Sequence, residues 1–462
     1  MSGLISDLNV GVQSLLVSTQ AMNVTTTNIA NMNTPGYARR RVIIEQAPST
    51  GDDSAIGVDV KSVESLRDNI LDLSINAATS RQRFSSTVSS SLSTIELSFS
   101  DTASGSIGST VDAFFSSLQS LSTTPADSSL RSSVLTAAGN VATAFQKTAS
   151  AVADTQQQMD RCVVQDTASI NSILQQIAAT NTVISQASNI GQSANDAQDQ
   201  QSALLTELSA LIDFKTINSS DGLTLTTSNG TSLIVGSKAY LLTNALNANG
   251  FNDVYAGGVD ITSTIQGGSL AGELQTRDET LATMNTQLDQ FAFQFAQAVN
   301  NVQAAGSDAN GSTGAAMFDP PDTTSGTSTG AASSMKVSLT RGSQIAAAAS
   351  GGASGDNSNI AKMIALQNQS IVNGATPSTA FSNLSYYIGN TISQANTEAT
   401  ATTSILTQLK NQQGSVEGVS LDEEASNLLL YQRAFQAAAK VISTIDTLMG
   451  NILDMGANNP GY

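Results

Sequence analysis

The sequence predicts a mainly α-helical protein, a long helical bundle or coiled coil formed by paired N- and C-terminal segments. Apolar residues recur at heptad spacing at both ends of the 462-residue chain. The composition is rich in Ala, Ser, Thr, Gln, Asn and Leu, with only 4% aromatic residues, which favours long helices with narrow apolar faces over a sheet-based core. Strand-like alternation occurs after the first helix and in the middle, and predicts short β elements and a small β-rich insertion.

The N-terminal segment carries large apolar residues at seven-residue intervals. A Pro-Gly pair at Pro35-Gly36 ends this pattern, because these two residues together interrupt a helix. The candidate assembly residues of this helix are Leu8, Val12, Leu15, Met22 and Ile29.

The C-terminal segment repeats the same interval in two rows three residues apart, as a coiled-coil helix requires. The candidate assembly residues here are Leu421, Leu428, Tyr431, Phe435, Ile442, Ile445 and Met449. Matching rows at opposite ends of one chain predict that the ends pair. Because packing supplies most of a helix's stability, we expect these helices to be loose in the isolated chain and ordered on assembly.

The change of pattern along the chain predicts three units. Alternation in 213–262 includes a hairpin with an Asn229-Gly230 turn, and a stretch rich in Gly, Ser, Thr and Asp at 304–353 is a loop or a reduced insertion. The expected units are a terminal coiled coil (1–35 and 420–462), a helical core (36–212 and 263–419) and the β-rich insertion (213–262).

One helix start is predicted in detail. Thr124 is the expected N-cap, Pro125 the first helical residue and Asp127 the acid of a capping box. Apolar residues at helical spacing then extend to about Ser188 and predict a long core helix.

Charge and residue usage exclude several functions. The net charge of −18 argues against nucleic acid and anionic membranes as partners. The basic run Arg39-Arg40-Arg41 is interpreted as a charged strand face in preference to an anion site. With no histidine and one cysteine, Cys162, the chain lacks the residues for Ser/His/Asp or Cys/His triads, common zinc sites and an internal disulfide. We expect no cofactor and no metal.

The remaining acidic motifs have structural interpretations. Asp308-Ala-Asn310-Gly311 faintly resembles a calcium loop but lacks the later ligands. Asp422-Glu423-Glu424 is interpreted as the acidic first turn of the last helix, with Ser420 as its cap. The first ten residues lack the pattern of a cleaved secretory signal, and no apolar stretch is long enough to predict membrane insertion.

Two runs stand out at the ends of the chain, Asn28 to Tyr37 and Leu421 to Ile442, and both resemble the signatures of the bacterial flagellar axial family of rod, hook and hook-associated proteins. The N-terminal signature ends at Tyr37. The C-terminal signature begins at Leu421 and continues through Lys440 to Ile442. The signature residues in this sequence are Asn28, Asn31, Thr34, Pro35, Gly36 and Tyr37 near the N-terminus, and Gln432, Arg433 and Ala434 near the C-terminus. The middle, from Pro125–Leu135 to Gly342–Ala346, is similar to the hook-associated members.

This resemblance implies a structural, non-enzymatic subunit at the hook–filament junction, outside the cell. The implied partners are further copies of the chain, the hook protein, the next hook-associated junction protein, and a type III export chaperone at the C-terminal helix. Two departures from the family are a less acidic run at 196–202 and an outer insertion reduced to about 319–339. Alternatives are another axial protein (hook or distal rod), a secreted adhesin-like coiled-coil module acting through 213–261, and a carboxylate enzyme such as a peptidoglycan hydrolase.

Overall fold

The computed structural model describes residues 2–47, 57–100, 105–219, 222–319 and 328–457. Helices dominate these residues, as predicted. The helices are α1 (Ser2–Asn31), α2 (Asn69–Glu96), α3 (Ile107–Thr123), α4 (Ser128–Asn189), α5 (Asn195–Leu211), α6 (Gly268–Gln275), α7 (Leu281–Ala304), α8 (Ala331–Ser334), α9 (Ser358–Ala365), α10 (Pro377–Val416) and α11 (Leu421–Ala457). Part of the reduced insertion expected at 319–339 lies outside the described residues.

The strands form four small antiparallel sheets. A hairpin follows α1, seven strands lie between α5 and α6, and two short strands pair near the α7 and α9 ends. They are β1 (Arg40–Gln46), β2 (Val58–Ser65), β3 (Lys215–Ser219), β4 (Gly222–Thr226), β5 (Ser232–Val235), β6 (Lys238–Ala239), β7 (Leu242–Leu246), β8 (Asn252–Ala256), β9 (Val259–Asp260), β10 (Gly306–Ser307) and β11 (Ala348–Ala349).

The terminal helices α1 and α11 pack against each other along their length, which confirms that the ends of the chain pair. Their direction is antiparallel, because Gly11 lies against Ile442 whereas Asn28 bonds to Glu424 near the other end of α11. A Cβ atom on Gly11 would lie 2.8 Å from Cγ1 of Ile442, so glycine allows the two helices to approach closely there.

The helical core is centred on α4, a helix of 62 residues. One face of it carries the buried side chains of the predicted long helix, among them Val141, Phe145 and Val152. Its start differs from the prediction. Asp127 is itself the N-cap and accepts the backbone N–H groups of Ser129 and Leu130, so the helix begins at Ser128.

The β-rich insertion is attached to α4 by two polar side chains that lie on the same face of the helix, about three turns apart. The Asn171 amide pairs with both backbone groups of Leu242, at 2.9 and 2.7 Å, and the Asp160 carboxylate accepts two N–H groups of Asn252. The hairpin β4–β5 turns at Thr227–Thr231, where Gly230 has a φ of +90°; the turn is longer than the two-residue Asn-Gly turn of a tight hairpin. These bonds fix the insertion against the core.

Candidate functional site: the joint and the outer rows of the terminal helices

A buried polar network joins the terminal helices to the rest of the molecule, and its centre is Asn28 on α1. The Oδ1 atom of Asn28 accepts the Tyr37 hydroxyl at 2.7 Å and the Arg40 backbone N–H at 3.0 Å. Its Nδ2 atom donates to the Arg40 carbonyl at 2.9 Å and to Glu424 Oε2 at 3.2 Å. One side chain thus connects α1, the start of β1 and the first turn of α11. We call this network, together with the arginine contacts described below, the joint.

The turn after α1 holds the next signature residues. The Thr34 backbone N–H and hydroxyl both donate to Asn31, to its carbonyl and its Oδ1 atom, and the Tyr37 N–H donates to the Thr34 carbonyl. Gly36 has a φ of +77°, and a Cβ atom there would lie 2.8 Å from the Asp199 carbonyl oxygen. Pro35 and Gly36 therefore end α1 and let the chain pass close to α5.

Two of the three consecutive arginines lie in the joint. Arg39 contacts Glu424 at 2.7 Å and Glu423 at 2.6 Å, and Arg40 pairs with Asp196 and Asp199 of α5. The interpretation of this run as a charged strand face is correct for Arg41, whose side chain is 61% exposed. For Arg39 and Arg40 it is wrong, because acids from α5 and α11 cover them.

Arg67 and Asp72 extend the joint toward α2 and α10. The Arg67 guanidinium contacts Asp72 at 2.9 Å and Asp199 at 2.7 Å, while Asp72 accepts the Gln413 amide at 2.6 Å. Glu417, after α10, accepts the Asp68 backbone N–H at 2.7 Å, and its burial raises the pKa of that carboxyl. The joint therefore connects both pairs of long helices, α1–α11 and α2–α10.

Electrostatics within the joint favour fixed protonation states. Burial raises the pKa of the Tyr37 hydroxyl to about 12, so it remains a hydrogen-bond donor to Asn28 at neutral pH. Burial lowers the pKa of Arg40, but its hydrogen bonds to Asp199 and Asp196 outweigh this and the net pKa is raised. Glu424, expected only to complement the helix dipole, is 1% exposed and accepts from Arg39 and Asn28.

The predicted assembly residues of α1 do not form the row buried against α11. The buried residues of α1 are mostly small or polar: Gly11, Val17, Ser18, Ala21, Val24, Thr25 and Asn28. Of these, Gly11 lies against Ile442 and Asn28 bonds to Glu424 of α11. Leu8, Leu15, Met22 and Ile29 are half-buried, and Val12 is 42% exposed. Small residues occupy the contact because they permit the close helix approach seen at Gly11.

On α11 the predicted row is unevenly covered, and its Ile442 lies against Gly11 of α1. Ile445 is 6% exposed; Leu428, Tyr431, Ile442 and Met449 are half-buried. Leu421 and Phe435 remain 48% and 37% exposed. The signature residues Gln432, Arg433 and Ala434 are exposed on the surface of α11.

Each terminal helix carries a second row of heptad-spaced residues, all exposed and none charged. We call these the outer rows. The α1 outer row is Ile5, Asn9, Val12, Leu16, Thr19 and Asn23, and the α11 outer row is Leu430, Ala434, Ala437, Val441, Thr444 and Leu448. The neighbouring row of α11 carries Arg433, Lys440 and Asp454, and so has the character of a water-facing surface. Heptad rows of this kind are typical of helix-to-helix contact.

Nowhere in the described ranges do three or more His, Cys, Asp or Glu side chains gather as a metal site would require. Asp308 accepts the N–H groups of Asn310 and Ser312 within its own loop. None of the described helices has the length and apolarity needed to span a membrane.

Three family models match separate parts of the chain. The model for flagella basal body rod proteins matches residues 8–37, and that for the C-terminal region of flagellar basal body rod FlgEFG proteins matches 412–455. These two ranges contain all of the signature residues. The model for the helical domain of the flagellar hook-associated protein FlgK matches residues 92–318.

Curated relatives align along nearly the whole chain. Flagellar hook-associated protein 1 of Bacillus subtilis is 28% identical, with 96% of each chain covered. The Salmonella typhimurium protein of the same name is 27% identical, covering 97% of this chain and 99% of its own. The solved structure of the flagellar hook junction protein FlgK from Burkholderia pseudomallei shares the fold with a TM-score of 0.67 at 17% identity, over 75% of this chain and all of that one.

These matches, on a chain whose paired terminal helices are fixed to a helical core, make it a structural protein of the flagellar axis. The matches to the terminal and central family models, together with relatives aligned over almost their full length, identify which family of axial proteins this is. The chain belongs to the flagellar hook-associated protein 1 family.

Proposed function

We propose that the chain is a structural adaptor that joins hook to filament outside the cell and assembles head-to-tail through its terminal helices. The observation that carries this proposal is the pair of outer rows. Ile5, Leu16 and Leu448 are 52%, 65% and 46% exposed in the single chain. In a chain with a net charge of −18, two long helix faces without any charge favour contact with protein over contact with water.

Burial of these exposed apolar side chains against other copies of the chain is energetically favourable. Fully burying one large apolar side chain is worth about 1.5–3 kcal/mol. Several such residues per helix, repeated in each subunit, can offset the entropy of ordering the termini. The candidate assembly residues, from Leu8 to Ile29 on α1 and from Leu421 to Met449 on α11, are partly covered within one chain. We infer that neighbouring subunits cover the remainder.

The joint would transmit mechanical load between the terminal helices and the helical core. Its bonds hold the terminal pair on the helical core at a fixed angle, so that load on the pair passes to α2, α5 and α10. We propose three further partners on the basis of the family resemblance: the hook protein on one side, the next hook-associated protein on the other, and, before export through the type III channel, a chaperone at α11. The exposed Leu429, Leu453 and Met455 offer that chaperone an apolar surface.

The test is electron microscopy of cells lacking this gene, with the culture medium assayed for filament subunit. Hooks without filaments, and filament subunit lost to the medium, support the proposal. Missing hooks would move the protein to the hook or rod. Normal flagella would contradict an axial role.

A second experiment concerns the predicted assembly residues. Leu15→Asp and Phe435→Asp are expected to stop assembly, because each introduces a charge into a partly covered apolar row. The helical content of the core should remain, as measured by circular dichroism. Collapse of the core in these variants would contradict a role confined to assembly.

A further inference from the structure

The interior of the molecule is divided into two apolar cores that share α4. Residues of α4 from Val134 to Val152 pack into the first core with α3, α7 and α9. Residues of α4 from Val163 to Ile177 pack into the second core with α5, α6 and the β-rich insertion. Among the described residues, the first core buries eight phenylalanines, whereas the buried side chains of the second are all aliphatic. Because aromatic rings bury the largest apolar area per residue, the second core is the more weakly packed.

A buried polar layer separates the two cores. It contains Gln156 of α4 and a π-helical turn, Thr276–Thr280, that connects α6 to α7. Thr276 and Arg277 of this turn are fully buried, and the Gln156 amide donates to the Arg277 carbonyl at 3.0 Å. Of the described side chains, only the partly buried Phe84 of α2 packs against both cores. Apolar contact is therefore interrupted at this level, which favours two separate cooperative units.

Arg277 lies in the polar layer and holds the β-rich insertion to it. Its Nη1 atom donates to Asp160 of α4 at 2.7 Å and to the Asn252 carbonyl of the insertion at 2.9 Å. Its Nε atom contacts the Asp278 carboxylate at 2.8 Å, and its guanidinium carbon lies 5.3 Å from the centre of the Phe251 ring. One side chain thus joins α4, the π-helical turn and the insertion, through a planar fork of donors that lysine lacks.

The joint is attached directly to the second core. The helix α5 supplies Leu204 and Leu208 to this core. The same helix carries Asp199, which pairs with Arg40 and Arg67 in the joint. Load that reaches α5 through the joint therefore acts directly on the more weakly packed of the two cores.

We propose that the second core opens as a cooperative unit while the first core stays folded, and that Arg277 is the latch that keeps it closed. In this opening α5, α6 and the β-rich insertion separate from α4. Two buried polar atoms, Glu273 Oε2 and Thr276 Oγ1, have no hydrogen-bond partner among the described residues, which weakens the closed state. In the proposed adaptor this unit would yield first under load. The opening itself is a property of the single chain, so its test is independent of the proposed assembly.

Hydrogen exchange of the purified full chain, followed by mass spectrometry at increasing urea below the unfolding midpoint, measures how often each segment opens. The amides of α5, α6 and β8 should share one opening equilibrium constant. We expect it to exceed that of the amides of α3 and α7 by about tenfold or more. Convergence of all these amides on one value would overturn the proposal.

Two leucine truncations of the same chemistry distinguish the cores, since Leu208 in the second and Leu288 in the first are both 0% exposed. Leu208→Ala should increase the opening of α5, α6 and β8 by about thirtyfold or more. Leu288→Ala should increase the opening of α3 and α7 and leave that of α5, α6 and β8 unchanged. If Leu288→Ala accelerated exchange equally in both sets, the chain would be one cooperative unit.

The latch is tested by Arg277→Lys, which keeps the positive charge and loses the fork of donors. Opening of α5, α6 and β8 should increase by about tenfold or more, because charge-assisted hydrogen bonds to Asp160 and Asp278 are lost. Arg161→Lys, on the exposed face of α4, is the matched control and should leave exchange unchanged. Equal exchange in these two variants would show that Arg277 does not hold the second core closed.

Discussion

The helical core and the terminal pair are both built from long helices, yet they bury their side chains to very different extents. In the core, Phe114, Phe115, Phe291 and Phe295 are at most 1% exposed, and the rings of Phe145 and Phe291 meet edge to face at 5.1 Å. In the terminal pair, no aromatic residue is buried within the described part, and Phe435 is 37% exposed. The core completes its packing within one chain. The pair leaves its packing open, which is what a polymerising surface requires.

The largest effect is expected from removing an aromatic ring from the core. Phe295→Ala should lower the free energy of unfolding by about 3–5 kcal/mol, because the ring contacts Phe114, Phe115 and Phe318 and its loss leaves a cavity. Thermal unfolding followed by circular dichroism measures this. The matched control is Phe435→Ala in the terminal pair, which should cost less than about 1 kcal/mol. Equal costs would remove the distinction between the two regions.

A buried acid in the core predicts a dependence of stability on pH. Glu273 on α6 is 6% exposed, and its Oε2 atom has no hydrogen-bond partner among the described residues. Burial, reinforced by Asp166 and opposed by Arg277, raises the pKa of Glu273 to about 9. Glu424, the buried acid of the joint, by contrast has hydrogen-bond partners, since its carboxylate accepts from Arg39 and Asn28.

The folded chain therefore holds a proton on Glu273 that the unfolded chain releases above about pH 4.5. Stability should fall as pH rises from there toward 9, by at most about 1.4 kcal/mol per pH unit. Glu273→Gln should flatten this slope in urea unfolding series. Glu279→Gln, on the exposed side of the following turn, controls for net charge. An unchanged slope in Glu273→Gln would contradict the assignment.

A substitution in the joint should destabilise the chain by less than the loss of a core aromatic ring. Asn28→Ala leaves the Tyr37 hydroxyl, the Arg40 backbone groups and one Glu424 oxygen without their partner, which costs about 1–3 kcal/mol. We expect faster hydrogen exchange at α1 and β1 and unchanged exchange in the core. Asn23→Ala, on the exposed face of the same helix, should leave both unchanged. Equal exchange in the two variants would show that the joint does not hold the pair.

Sequence periodicity could predict the helices and their pairing because both depend on local patterns. The heptad row through Ile442 and Ile445 is visible in the chain, as is the Pro35-Gly36 interruption. Which row of α1 is buried could not be predicted from hydrophobicity. The contact uses Gly11 and Ser18, whose value lies in their small size, and the larger Val12 and Leu16 face outward.

The joint could not be predicted, because its partners are far apart in the sequence. Arg39 meets Glu424, and Asp199 meets both Arg40 and Arg67, through folding that brings α5 and α11 to one place. The available signal was three consecutive arginines in a chain with few bases. Their partners were beyond the range of local patterns. The signature run from Asn28 to Tyr37 indicated where the joint lies, but not which hydrogen bonds and ion pairs form it.

The smallest effect on the isolated chain is expected in the α11 outer row. Leu448 is 46% exposed, so Leu448→Asp should change the free energy of unfolding by no more than about 0.5 kcal/mol. In assembly the same change places an unpaired charge in an apolar contact between copies and should abolish filament attachment. Thr447→Asp adds the same charge one residue away, on the row of Arg433 and Lys440, and should assemble normally. If both variants assembled, the outer rows would face water in the flagellum, and the open packing of the terminal pair would need another occupant.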